Sequence, residues 1–140
     1  MKHAILGVLA LSLALPVATA SAQAQANTSL GSVTLAQSVT ADGKRLAPGT
    51  YQVRLTGEEP KPAAGQSPEG AKYVEFVRGG QVVAREVATV ISDTDVKTVV
   101  KGPQPARGGS RVEMLKGNDY VRIWINRGGN NYLIHLPPAV

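Results

Sequence analysis

The chain has 140 residues, 18% of them charged, with Lys and Arg exceeding Asp and Glu by five and no cysteine at any position. Without a thiol it can form no disulfide, carry no lipid on an N-terminal cysteine and run no cysteine chemistry. Its basic residues are scattered and only 4% of it is aromatic, so no nucleic-acid interface is expected.

Met1, Lys2 and His3 make a short positive start, followed by the apolar run Ala4 to Leu15, the helix-breaking Pro16 and small residues through Ala24. That is the layout of a secretory signal peptide. The apolar run falls short of the roughly 20 residues that a membrane-spanning helix needs, and no twin arginine precedes it. Cleavage on the general secretion route is therefore expected, with Ala20-Ser21-Ala22 as the favoured cut and triplets ending at Ala20 or Ala24 as competitors. The domain plan is a signal peptide at 1–22, a flexible polar lead-in at 23–30 and a single β domain at 31–140, periplasmic or extracellular in a bacterium, with no membrane segment after cleavage. Loss of Lys2 lowers the formal charge from +5 to +4. Such an excess suits attraction to anionic envelope polymers and equally suits plain solubility.

Beyond residue 30 no stretch keeps helical periodicity for the ten or so residues a helix requires, and Val, Ile, Thr and Tyr dominate between turn signals. The predicted class is all-β: an antiparallel β-sandwich or partly closed barrel of about seven to eight strands. The strands run Val33 to Val39, then past the Asp42-Gly43 turn to Thr50–Thr56, Lys72–Arg78, Gln81–Ile91 and a weaker Val96–Val100. A C-terminal three-stranded meander (111–136) follows, made of Arg111–Lys116, Asp119–Asn126 and Asn131–Leu136. The Pro-, Gly- and charge-rich stretches Gly57–Ala71 and Gly102–Ser110 read as loops.

The turns Gly117-Asn118 and Gly128-Gly129 fix the register of the meander. Met114 then lies opposite Val121, Val112 opposite Ile123, Ile125 opposite Tyr132, Ile123 opposite Ile134 and Val121 opposite Leu136. All are apolar or aromatic, so this is the expected core face. Across the Gly79-Gly80 turn, Val74, Phe76, Val83, Val87 and Ile91 form the expected core face of the earlier hairpin. Arg85 shares that face, which predicts a bulge or a strand edge near it. Val53 or Tyr51 completes the core.

At Leu46-Ala47-Pro48-Gly49-Thr50-Tyr51 the chain resembles a phrase of secreted bacterial β-sandwich modules of the transthyretin-like and immunoglobulin-like kind, in which L-P-A-G-x-Y opens a strand. Ala47 and Pro48 stand here in swapped order, and the likeness covers about a dozen residues from Asp42 to Val53. It implies a tight corner at Pro48-Gly49, a Tyr51 that enters the sandwich, and a structural, adhesive or ligand-binding role. No catalytic residue attaches to the phrase.

The outer face of the meander carries Arg111, Glu113, Leu115, Tyr120, Arg122, Trp124, Asn126, Asn131, Leu133 and His135. Aromatic rings stack on sugars or apolar ligands while Arg and Asn offer planar hydrogen-bond forks, so a glycan- or small-ligand-binding platform of Arg111, Tyr120, Arg122, Trp124, Asn126, Asn131 and His135 is one reading. The competing reading has Arg111 covering the Trp124 ring, Glu113 paired with Arg122, and the strip solvated or covered by the loop at 57–71. His135 is the single histidine after the leader, too few for a multi-histidine metal site and a weak basis for a small hydrolase. Asp93-Thr94-Asp95 could face a calcium ion, but a turn asks for Asp in any case. No catalytic residue, metal or cofactor is expected. The role inferred is that of a non-enzymatic recognition or accessory domain, its partner an envelope or extracellular protein or a glycan.

Overall fold

The computed structural model describes residues 28–61 and 70–139. The expected signal peptide and most of the expected lead-in lie outside them. The strands are β1 (Thr28–Leu35), β2 (Val39–Ala41), β3 (Lys44–Leu46), β4 (Gly49–Leu55), β5 (Ala71–Arg78), β6 (Gln81–Ser92), β7 (Ser110–Met114), β8 (Val121–Arg127) and β9 (Asn130–Leu136), with one helical turn, α1 (Val96–Val99). Seven of them form one antiparallel sheet in the order β1-β4-β5-β6-β9-β8-β7. The sheet curls until β1 packs against β7 and β8, and Ser110 Oγ lies 3.5 Å from the carbonyl of Ser32. It is a nearly closed barrel, the second of the two expected architectures.

The meander register is as derived: Met114 faces Val121, Val112 faces Ile123, Ile123 faces Ile134, Ile125 faces Tyr132 and Val121 faces Leu136. Val121, Ile123, Ile125, Ile134 and Leu136 are buried together with Leu30, Val33, Val53, Val74 and Phe76. Met114 is the exception at 37% exposure, because β7 ends there at the free edge of the sheet. The β7–β8 loop is wider than two residues. Its last ladder bond runs from the Leu115 N–H to the Tyr120 carbonyl, and a turn from Leu115 to Asn118 closes inside it.

The bulge foreseen from Arg85 is present. Phe76 pairs with Ala84 but Val77 with Val82, so Val83 is the extra residue. The phase of β6 therefore reverses after it: Ala84 and Ala88 point into the barrel, while Val87 and Ile91, expected inside, do not join the buried core. The first strand also begins earlier than expected. It starts at Thr28, inside the expected lead-in, because Leu30 is buried and Gly31, at φ 117°, absorbs a bulge against β4. The expected strand Val33–Val39 breaks after Leu35.

β2 and β3 form a separate hairpin across Asp42-Gly43, where both residues have positive φ as a tight primed turn requires. It closes one end of the barrel, with Val39, Ala41 and Leu46 buried. The C-terminus ties it down through the Thr40 N–H to the Pro137 carbonyl and the Ala139 N–H to the Ser38 carbonyl. Tyr51, from the Leu46–Tyr51 phrase, is buried with its ring edge-on to Phe76 and its hydroxyl donating to the Ala47 carbonyl at 2.5 Å.

Candidate functional site

The outer face of β7–β8–β9 is covered by the chain itself. After β6 the chain turns at Asp93–Asp95, makes the single turn α1, and crosses the sheet as an extended strap, residues 100–109, before entering β7. Val96–Val100 is thus not a strand. The Thr98 and Val99 N–H groups bond back to the Asp95 carbonyl, and the Val100 N–H to that of Val96. Val96 becomes fully buried against Trp124 and Leu133, with Ile91 and Val100 alongside. This is a second apolar cluster, outside the barrel wall.

Trp124 is 1% exposed. The strip is therefore not an open platform, and what closes it is the strap; residues 62–69 of the loop at 57–71 lie outside the described residues. Asn126 and Asn131 are buried as well, and Arg122 nearly so. Arg122 and Asn126, together with the half-buried Arg111, each donate across the interface to a strap carbonyl. Arg122 donates from Nη2 to the Lys101 carbonyl at 3.0 Å. Arg111 donates to the Pro103 carbonyl at 2.7 Å, and Asn126 donates to the Pro105 carbonyl at 2.9 Å. Asn131 lies at the centre of a further network: its Oδ1 accepts from the Trp124 indole at 2.8 Å and from Gln104 at 3.1 Å, while its Nδ2 donates to Asp93 Oδ1 at 2.7 Å. Asp93 also accepts from Gln104 at 3.0 Å. Asn126 Oδ1 is the one buried side-chain polar atom without a partner among the described residues.

The charges are arranged around Glu113. Its Oε1 accepts from Arg122, and its Oε2 from Arg111 at 3.2 Å. The Arg122 guanidinium lies 5.2 Å from the centre of the Trp124 ring, so the arginine over the tryptophan is Arg122 and not Arg111. The expected Glu113–Arg122 cross-strand pair is present. Tyr120 and His135 are exposed, with their rings edge-on at 6.2 Å. Partial desolvation of the ring against the sheet lowers the His135 pKa, and the neighbouring Arg122 charge lowers it further. Among the described residues no three His, Asp or Glu side chains gather as metal ligands would. The two Asp of the Asp93–Asp95 turn have separate tasks: Asp93 holds Asn131 and Gln104, and Asp95 accepts from Ser92 Oγ at 3.0 Å.

By composition Gly102–Ser110 reads as a loop, and nothing in that composition marks Gln104 or Asp93 as members of the network. A usable signal was present: both Asn131 and Asn126 sit mid-sheet beside a Trp, a place where an amide needs partners. No helix among the described residues is long and apolar enough to cross a membrane. Comparison with protein-family models, curated proteins and solved structures returns no match, so the site is read from its own geometry.

Proposed function

We propose that the chain is an exported, non-enzymatic recognition domain of the envelope or extracellular space, and that its contact surface is the strap with α1. One observation carries this reading: the polar side chains of the sheet face turn onto the strap, while α1 and the start of the strap hold Lys97, Val99 and Lys101 outward. Lys97 and Lys101 are exposed and make no ion pair among the described residues, and Val99 between them is 65% exposed. We take this exposed Val99 between two cations, on a segment clamped to the sheet, as the contact feature, since interfaces join an apolar centre to a polar rim. Export is supported by the pattern of Met1 to Ala22. The absence of an enzymatic role is supported by Glu113, whose carboxylate is committed to two arginines rather than to His135. An open glycan-stacking platform on Trp124 is disfavoured by its burial.

Expression of the full chain in a bacterial host, followed by fractionation and intact-mass measurement, tests export; a product beginning at Gln23 outside the cytoplasm is expected, and an uncleaved cytoplasmic product removes that part of the proposal. Labelled mature protein should then bind isolated envelopes saturably. The variant Lys97→Glu/Val99→Asp should lose that binding, and binding equal to wild type would move the contact surface elsewhere.

A further inference from the structure

Beside the strap, part of the outer sheet face stays uncovered. Between Val99–Lys101 and the strands β6, β8 and β9 lies a cleft of about 270 Å³. Its apolar lining comes from Ile91, Val99, Val100 and Leu133, and its polar lining from Thr89, Lys101, Arg122 and His135. No acidic residue lines it. All four polar side chains have unused hydrogen-bonding capacity. Arg122 spends Nε and Nη2 on Glu113 and the Lys101 carbonyl, whereas its Nη1 has no partner among the described residues and is not among their enclosed orphan atoms. The Thr89 hydroxyl, the Lys101 ammonium and the His135 ring nitrogens likewise make no side-chain hydrogen bond there, and all three residues are exposed.

The charge balance favours an anion. Glu113 is shared by Arg111 and Arg122, which leaves that trio one positive charge in excess, and Lys101 adds an unpaired second. The lowered pKa of His135 favours its neutral ring, which donates one hydrogen bond and accepts another. An apolar floor with a few convergent polar groups is the build of a small-molecule site. The volume lies just below the ~300–1,000 Å³ common for drug-sized ligands, so the occupant is small.

We propose that this cleft binds a small carboxylate with an aliphatic body, its head between Arg122 and Lys101 and its chain over Ile91 and Leu133. Inorganic phosphate or a wholly polar ligand would leave that floor unused. The site shares the strap with the recognition proposal but does not require export, and a titration of purified protein succeeds or fails independently of envelope binding.

The experiment is an amide NMR titration of the purified domain with octanoate, with octan-1-ol as the uncharged body and acetate as the bare head. Octanoate should give saturable shifts at the amides of Ile91, Val100, Lys101 and Leu133, and should bind about tenfold more tightly than either control. Lys101→Met keeps the backbone carbonyl that holds Arg122, so the fold is retained; it should weaken octanoate about threefold and leave octan-1-ol unchanged. Equal affinity for octan-1-ol, shifts that map away from the cleft, or no saturable shift would each overturn the proposal.

Discussion

Asn131→Ala tests whether the strap is held by a closed polar network or merely rests on the sheet. Asn131 is fully buried, and its Oδ1 is the acceptor for the Trp124 indole at 2.8 Å. Truncation leaves that N–H buried without a partner, which costs about 1–3 kcal/mol. The vacated amide volume adds about 1 kcal/mol if the site cannot collapse. Asp93 loses one donor but keeps Gln104 at 3.0 Å, so its share is smaller. The expected loss is about 3 kcal/mol, or about 12 °C in Tm at roughly 4 °C per kcal/mol for a domain of this size. Trp124 is the sole tryptophan, so urea unfolding followed by its emission reads both global stability and the local environment. Asn131→Asp provides the contrast. It keeps an acceptor for the indole but sets a second carboxylate against Asp93, so its deficit should shrink as acid neutralises the pair, while that of Asn131→Ala should not. A loss below about 1 kcal/mol for the Ala variant, or a pH-independent deficit for the Asp variant, would refute the closed network.

Gly102 and Gly108 both have positive φ, at 114° and 77°, but a Cβ on Gly102 would meet Arg122 Nη2 at 3.1 Å while one on Gly108 meets nothing within 4 Å. Both alanine variants should lose about 1–2 kcal/mol to backbone strain, and only Gly102→Ala should raise acrylamide quenching of Trp124; equal quenching would mean that Arg122 does not clamp the strap. Gly49→Ala combines a φ of 148° with a Cβ 3.1–3.2 Å from the Arg78 guanidinium, so it should cost about 1–3 kcal/mol, part of it recovered in the double variant with Arg78→Ala, as urea midpoints would show. The His135 pKa lies below its ordinary 6.5 in the folded protein, so the unfolded chain takes up the proton first. The stability it contributes is present above that ordinary value and is lost as pH falls through the lowered one; His135→Gln should flatten that part of the stability–pH curve, and an unchanged slope would assign it to other groups.

The alternation of apolar residues made the inner surface of the barrel legible. Two glycine turns set the meander, and a one-residue slip would have exposed Ile123 and Ile134, so the sequence left a single register. Arg85 performed the same service for β6, since a charge in phase with Phe76 required a bulge, although it did not say that Val83 was the extra residue or that Ile91 would leave the core. Two features were not legible. Val96–Val100 is β-branched and apolar at three of five positions, which favours a strand by local preference, yet Val96 is buried by packing on Trp124 and the segment winds into one helical turn to place it there. The strap was opaque for a related reason: Gly102–Ser110 carries the composition of a solvated loop, and composition does not register what a segment's carbonyls meet.

That last point explains the outer face. Pro103 and Pro105 have no N–H, so this stretch cannot extend the sheet as an ordinary strand, and its carbonyls need donors from elsewhere. In an extended chain alternate carbonyls point the same way, and those of Lys101, Pro103 and Pro105 meet Arg122, Arg111 and Asn126 in turn. Each of those side chains brings donors to an acceptor-only edge. Once the prolines end, backbone pairing resumes, with the Gly108 N–H donating to the Asn126 carbonyl and the Asn126 N–H to that of Gly109. The same arginines and asparagines that suggested a ligand platform therefore have a ligand already, a proline-containing segment of their own chain. What remains for an outside partner is what α1 turns away from the sheet, Lys97 and Val99, and the flank where Arg122 keeps one amino group uncommitted.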